Sequence, residues 1–264
     1  MEQGKNLTYS GYLALDRLLS LQHRRSDPAE HDEMLFIIIH QVYELWFKQL
    51  LHEFDKVKAD FSSGDLFGAI ETLKRVRMMM KTLVGQLDIL ETMTPVSFRS
   101  FRDRLETASG FQSSQFREVE FVLGYKRPEM VVHFPEGTPE RARLDRRLNG
   151  RSLMDHFYDF LEGLRVKIPD AIRNKPVTQS TLPDAKIQKE ILRLYMARPE
   201  VAILVELLVD IDEGFQEWRY RHVKMVERTI GNMPGTGGSS GVEFLKRTLF
   251  KPFFPDLWAI RHEF

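Results

Sequence analysis

Apolar residues recur along most of this chain three and four positions apart, the spacing that gathers them on one face of an α-helix. No stretch alternates convincingly in the manner of a β-strand. The longest unbroken pattern follows Asp27-Pro28-Ala29-Glu30. That tetrapeptide reads as a helix start, with Asp27 as N-cap, Pro28 in the first helical position and Glu30 closing a capping box. Neither Gly nor Pro interrupts the chain again before Gly64, so the predicted helix has about 35 residues and runs roughly 50 Å. A second long helix is predicted from Asp65 to about Thr92, weakened at Gly68 and Gly85, and Thr94-Pro95 opens a shorter third.

After Tyr125 the texture changes. KRPEMVVHFPEGTPE carries three prolines and reads as a loop, ahead of a helical pair at 139–149 and 152–166. Residues 174–184 form a linker, and Pro199 starts another long helix reaching about Ile230. The stretch 231-GNMPGTGGSSG-241 holds five glycines in eleven residues, and a short helix and an aromatic tail complete the chain. The expected fold class is all-α, a bundle of long helices with smaller helices inserted over 126–185. No repeat and no clean domain boundary divides residues 1–264, so a single domain is expected.

Composition narrows the function. Lys+Arg and Asp+Glu balance at 38 each, which argues against nucleic acid or an anionic membrane as the main partner. The run 141-RARLDRRLNGR-151 then reads as a solvated helix face. The chain has no Cys, which excludes disulfides, thiolate chemistry and Cys-ligated metals and fits a reducing cytoplasm. MLFIII (34–39) and VAILVELLV (201–209) are the greasiest runs, far short of the ~20 residues of a membrane span. The N-terminus lacks a signal-peptide pattern, so the expectation is a cytoplasmic protein.

Two of the eight histidines lie on apolar helix faces. His40 shares a stripe with Phe36, Tyr43 and Phe47, and His222 shares one with Phe215, Trp218, Met225 and Thr229. A lone histidine on such a face is ordinarily a core residue with a backbone or carboxylate partner. Two of them on separate long helices weaken that reading. No Glu-x-x-His pair supports a carboxylate-bridged di-iron site, and His-Glu-x-x-His zinc chemistry is also absent. His40 and Glu44 are one turn apart but offer only two ligands. A haem needs one axial imidazole, an apolar slot and cations for its propionates. His222, within 218-WRYRH-222, suits the axial role, leaving His40 for the distal side. The glycine stretch lacks the Gly-Lys-Ser/Thr of a phosphate loop. It reads either as a flexible connection or as a lid whose Thr236 closes over a small polar ligand.

Several motifs together resemble the tryptophan 2,3-dioxygenase family in order and spacing: FIIIHQVYELWFKQLLHE, FRSFRDRLETASGFQSSQFRE over 98–118, and WRYRHVKMVERTIG followed by GTGGSSGVEFLK. The likeness spans nearly the whole chain and is weakest over 126–185. It implies an enzyme with haem b that, in its ferrous state, uses O₂ as co-substrate. Both oxygen atoms add across the indole C2–C3 bond of L-tryptophan, giving N-formyl-L-kynurenine, the first step of tryptophan catabolism by the kynurenine pathway. By that resemblance His222 matches the axial iron ligand, and His40 the distal histidine that takes the indole N–H. Phe36 and Phe98 match pocket positions, Arg102 the partner of the substrate carboxylate, Thr236 the glycine-loop threonine that helps hold the amino-acid end, and Ser109 a serine close to the haem and substrate. It also implies a homotetramer, a dimer of dimers, in which the N-terminal helix within 1–24 contributes Tyr9, Tyr12 and Leu13 to the neighbour's site. Phe98 stands where some bacterial members carry Tyr, so any hydroxyl contact there is missing. A broader indoleamine dioxygenase, a non-catalytic sensor of haem or an aromatic amino acid, and a plain helical interaction module are the competing readings.

Overall fold

The computed structural model describes residues 6–264. Among these it is all-helical with no strand. The N-terminal part holds α1 (Tyr9–Leu13) and α2 (Leu15–Leu18), split by Ala14 in a left-handed conformation at φ 49°. This departs from one continuous helix within 1–24, whose first five positions lie outside the described residues. Neither short helix buries a residue, and a helix without a packed face is too short to persist on propensity alone.

The first long helix, α3 (His31–Ser63), starts three residues later than Pro28 would place it. Glu30 is its N-cap and makes no side-chain cap bond. The buried carboxylate of Glu33 instead ties the preceding segment to the first turn. It accepts the backbone N–H of Arg25 at 2.6 Å and of Ser26 at 3.0 Å, together with the Ser26 hydroxyl. A first-turn acid also suits the positive end of the helix dipole. Gly64, at φ 76°, closes α3 in the left-handed region where glycine is unstrained. Asp65 then caps α4 (Leu66–Leu90) by accepting the Gly68 N–H at 2.9 Å. Thr94 caps α5 (Pro95–Arg102) in the same way through Ser97.

Buried positions repeat at three and four on α3 (Tyr43, Phe47, Leu50, Phe54, Val57, Phe61) and on α4 (Leu73, Val76, Met80, Leu83, Leu87). The two helices are antiparallel neighbours, tied by the Tyr43 hydroxyl donating to the Leu83 carbonyl at 2.9 Å. On its other side α4 packs against α11 (Pro199–Ile230). Gly214 permits the close crossing, since a Cβ there would lie 3.1 Å from the Met80 Cβ.

Shorter helices complete the shell: α6 (Ser114–Val122), α7 (Pro139–Leu148), α8 (Leu153–Gly163), α9 (Asp170–Arg173), α10 (Ala185–Ala197), α12 (Val242–Lys246) and α13 (Pro255–Ala259). Four of them, α6, α9, α10 and α13, have no counterpart in the sequence reading. In α6 eight residues are buried, Arg117, Glu118 and Glu120 among them, so it has no polar face for periodicity to detect. The arginine run of α7 is not simply solvated either. Arg143 and Arg147 both bond the buried Glu118, and Arg147 also grips Asp55 at 2.6 Å. Leu144 and Leu148 meanwhile join Phe121, Val131 and Phe134 in a small second core.

Leu73, with no exposed surface, fills the seam on α4. Leu73→Ala is expected to cost about 2–5 kcal/mol of folding stability, read as a lowered midpoint of denaturant unfolding. A change below about 1 kcal/mol would contradict this placement.

Candidate active site

The long helices enclose a cavity walled by α3, α5, α6 and α11 and closed on one side by the glycine loop and α12. It offers about 260 Å³ to the centres of water molecules and is lined mainly by apolar atoms. Phe36, His40, Phe98 and Arg102 reach it from α3 and α5, while Ser109, His222 and Thr236 reach it from later segments. Seven residues singled out along the sequence therefore share one wall system. Tyr9, Tyr12 and Leu13 do not join them: all three are exposed, outside the cavity.

On α3, helical spacing stacks His40 one turn beyond Phe36, with ring centroids 4.2 Å apart. The His40 Nδ1–H donates to the Phe36 carbonyl at 2.6 Å. A carbonyl only accepts, so this bond fixes the tautomer: Nδ1 carries the proton, and Nε2 is left as an acceptor. Burial lowers the His40 pKa, with the Phe36 carbonyl and Glu44 opposing it. Phe98 and Phe101 extend the aromatic wall, each within 5.7 Å of the Phe36 centroid. His40 and Glu44 gain no third ligand. Among the described residues no group of three or more metal-binding side chains occurs.

His222 faces the same cavity from α11. Trp218, one turn earlier, lies parallel to it, with centroids 5.0 Å apart and planes within 3°. Phe116, Phe47 and Tyr43 hold the indole from other sides. Among the described residues neither ring nitrogen of His222 has a hydrogen-bond partner. Burial, then His40 and Arg117, push its pKa down to about 4. His222 is thus neutral, rotationally confined and chemically unspent.

Beside this imidazole sits a charge cluster that sequence reasoning missed. Glu120, with no exposed surface, accepts from Arg117 and Arg127 at 2.5 Å each and from Arg219 at 3.3 Å. Burial alone would raise the Glu120 carboxyl; the three guanidiniums, Arg117 foremost, outweigh it and hold the pKa low. Arg117, Glu120 and Arg219 line the cavity, so three cations against one carboxylate leave excess positive charge at its edge. The two arginines of WRYRH have separate fates. Arg219 is buried in this cluster, whereas Arg221 turns outward to Asp88 and Glu91. The signal available in the sequence was FREVE, charged residues set between aromatics just after the Arg102 helix.

At the opposite end of the cavity the glycine loop lies against residues 102–109. Arg102 Nη2 donates to the Pro234 carbonyl at 2.8 Å, and the Thr236 hydroxyl donates to the Ala108 carbonyl at 2.5 Å. Ser109 caps the following 3₁₀ turn by accepting the Phe111 N–H at 3.3 Å.

Fold and site define an all-α protein with an enclosed aromatic cavity, two neutral imidazoles facing it and a guanidinium at its mouth. The family model of tryptophan 2,3-dioxygenase matches residues 1–143 and 185–263. The chain belongs to that family. It is 54% identical to the tryptophan 2,3-dioxygenase of Herpetosiphon aurantiacus, over 97% of both chains. It is 50% identical to that of Anaeromyxobacter sp. (strain K), over 97% of this chain and 95% of the relative. For the protein of that name from Nocardioides sp. the figure is 45%, over 99% and 96%. The part left unmatched, 144–184, contains α8 and α9, away from the cavity walls.

Glu120→Gln would leave three buried guanidiniums without their carboxylate. Breaking a buried pair from one side costs about 3–5 kcal/mol, so a marked drop in melting temperature is expected. A variant as stable as the parent would show that the cluster is not held by Glu120.

Proposed function

We propose that this chain catalyses oxidation of L-tryptophan by O₂ to N-formyl-L-kynurenine, with haem b in the cavity. The reaction balances without a further reductant: the indole C2–C3 bond breaks, and each carbon receives one oxygen atom as a carbonyl. The observation that carries the reading is the pair of neutral histidines facing one aromatic cavity, one fixed as an acceptor and the other without a partner. The cavity suits the group. His222 would hold its iron, with Trp218 fixing that imidazole, and Arg117 and Arg219 would be the cations for its carboxylates. Ferrous haem bound there supplies the iron that makes O₂ reactive toward an electron-rich ring.

The remaining tasks belong to the protein. His40 Nε2 accepts the indole N–H and so sets the rotation of the ring, while Phe36 and Phe98 hold its faces. Arg102 keeps the Pro234 carbonyl on Nη2 and offers its remaining N–H groups to the substrate carboxylate, a charge-assisted acceptor. Thr236 and Ser109 border the amino-acid end, and the loop that carries Thr236 excludes water. Orientation of this kind supplies much of a barrier reduction when the reactant is already electron-rich. No helix among the described residues is long and apolar enough to cross a membrane, and a cytoplasmic location fits the Cys-free chain. The exposed Tyr9, Tyr12 and Leu13 fit a role across a subunit boundary in a homotetramer, capping a neighbour's cavity.

The ferrous protein should show a haem absorption band that L-tryptophan perturbs, and admitting air should then yield N-formylkynurenine. A band without product would make the protein a binding module. Arg102→Ala is expected to raise KM for L-tryptophan about 30-fold or more, the loss typical of removing one member of a desolvated ion pair; an unchanged KM would sink that role. His222→Ala should lose haem occupancy, and His40→Ala should lower kcat while leaving measurable turnover. Both imidazoles have depressed pKa values, so the folded site resists protonation as pH falls through the ordinary value of 6.5. The kcat/KM profile should stay level there and decline only in stronger acid. An acid limb centred on 6.5 would contradict the buried environment of His40.

A further inference from the structure

The glycine loop meets the substrate-binding segment at one point where no side chain fits. A Cβ placed on Gly237 would lie 2.7 Å from the Ser109 Cβ, 3.2 Å from its Oγ and 3.7 Å from the Thr107 carbonyl oxygen. The first of these is closer than carbon atoms pack, by about 0.8 Å against an ordinary contact. Rotation of the Ser109 side chain gives no relief, because its Cβ is anchored directly on the backbone. That backbone is itself held by the 3₁₀ turn that Ser109 caps. The other loop glycines differ. At Gly235 a Cβ would meet chiefly the Ser239 Oγ, which can turn away, and Gly238 has open space but a φ of 79°. Gly237 alone in 235–238 is required for room against a residue of the cavity wall.

The contact sits beside the two hydrogen bonds that seat the loop, Thr236 to Ala108 and Arg102 to Pro234. We propose that Gly237 is a positioning residue for the amino-acid end of the substrate: its missing side chain lets the loop close on Ser109 and places Thr236 beside Arg102. The proposal rests on the tryptophan-oxidising reading of the cavity. A Cβ at this position lifts the loop by most of an ångström from the segment that carries Arg102 and Ser109. It leaves the indole side, built on α3 and α11, untouched.

The test compares the haem-loaded parent with Gly237→Ala, Ser109→Gly and the double variant. Gly237→Ala should raise KM for L-tryptophan about tenfold to a hundredfold, the scale of a 1 Å misplacement, with kcat changed far less. Its haem spectrum and its affinity for 3-methylindole, which lacks the amino-acid end, should stay at parental values. In the Ser109→Gly background, where the opposing Cβ is gone, the same alanine should cost almost nothing. Parental KM in Gly237→Ala would overturn the proposal. An equal loss with and without the Ser109 Cβ, or an equal loss for 3-methylindole, would overturn it too. If Gly237→Ala fails to fold, the double variant against Ser109→Gly alone carries the comparison. A haem-loaded parent that neither binds nor oxidises L-tryptophan would remove the functional reading and this proposal together. Turnover by the parent with an indifferent Gly237→Ala would remove only the proposal.

Discussion

Taking an imidazole out of water penalises its charged form, and two imidazoles sharing one apolar cavity add mutual repulsion to that penalty. Burial holds His40 neutral against the Phe36 carbonyl and Glu44, while His222 feels burial, His40 and Arg117 together, and a neutral imidazole keeps a lone pair to offer. The rest of the site depends on where those lone pairs point. The Phe36 carbonyl takes the Nδ1 proton of His40 and turns Nε2 into a fixed acceptor. Trp218 lies flat on His222 and restricts the rotation of that ring. One histidine is thereby a fixed acceptor and the other a confined ring with both nitrogens unpartnered among the described residues, although their side chains are identical. Helix geometry supplies both supports, since Phe36 and Trp218 each stand one turn before the histidine they hold.

A cavity lined by rings would be a poor host for a ligand with carboxylates, and α6 corrects this. Arg117, Arg127 and Arg219 converge on a single buried Glu120, so the protein carries the cost of burying these charges with only part of it compensated internally. Arg219 gains further support from the faces of Phe253 and Tyr125. The arrangement leaves positive potential beside His222, which suits an anionic group and opposes protonation of the imidazole. The guanidinium of Arg117 thus acts directly on the protonation of His222.

Much of this architecture was legible because local rules decided it. Gly64, Asp65, Thr94-Pro95 and Pro199 act within a few residues of themselves, and the helices they bound begin or end where those residues put them. The start of α3 was not legible. Asp27-Pro28-Ala29-Glu30 has every local mark of a cap, yet Glu33 reaches back to Arg25 and Ser26 and moves the start. The helix α6 escaped notice because burial on all sides erases the polar face by which a helix is recognised. His40 and His222 stood out as exceptions on apolar stripes, whereas Arg117 and Glu120 did not, since charge in a polar-looking segment attracts no attention until the fold surrounds it. Trp218 was visible as a core aromatic, but its parallel stack on His222 is a matter of side-chain rotation.

The two ends of the cavity are not independent, because one continuous stretch of chain serves both. Trp218 and His222 lie in the last turns of α11, and the helix ends at Ile230 with Gly231 turning the backbone at φ 56°. Pro234 and Thr236 follow at once and dock on residues 102–108. The length of α11 beyond His222 therefore sets the distance from the His222 side of the cavity to the point where the loop turns back. An insertion or deletion between His222 and Gly231 would rotate the helix end by about 100° per residue and carry the loop away from Ser109. A rigid helix on one side and a tightly seated glycine loop on the other make the span between His222 and Thr236 a fixed dimension of the fold.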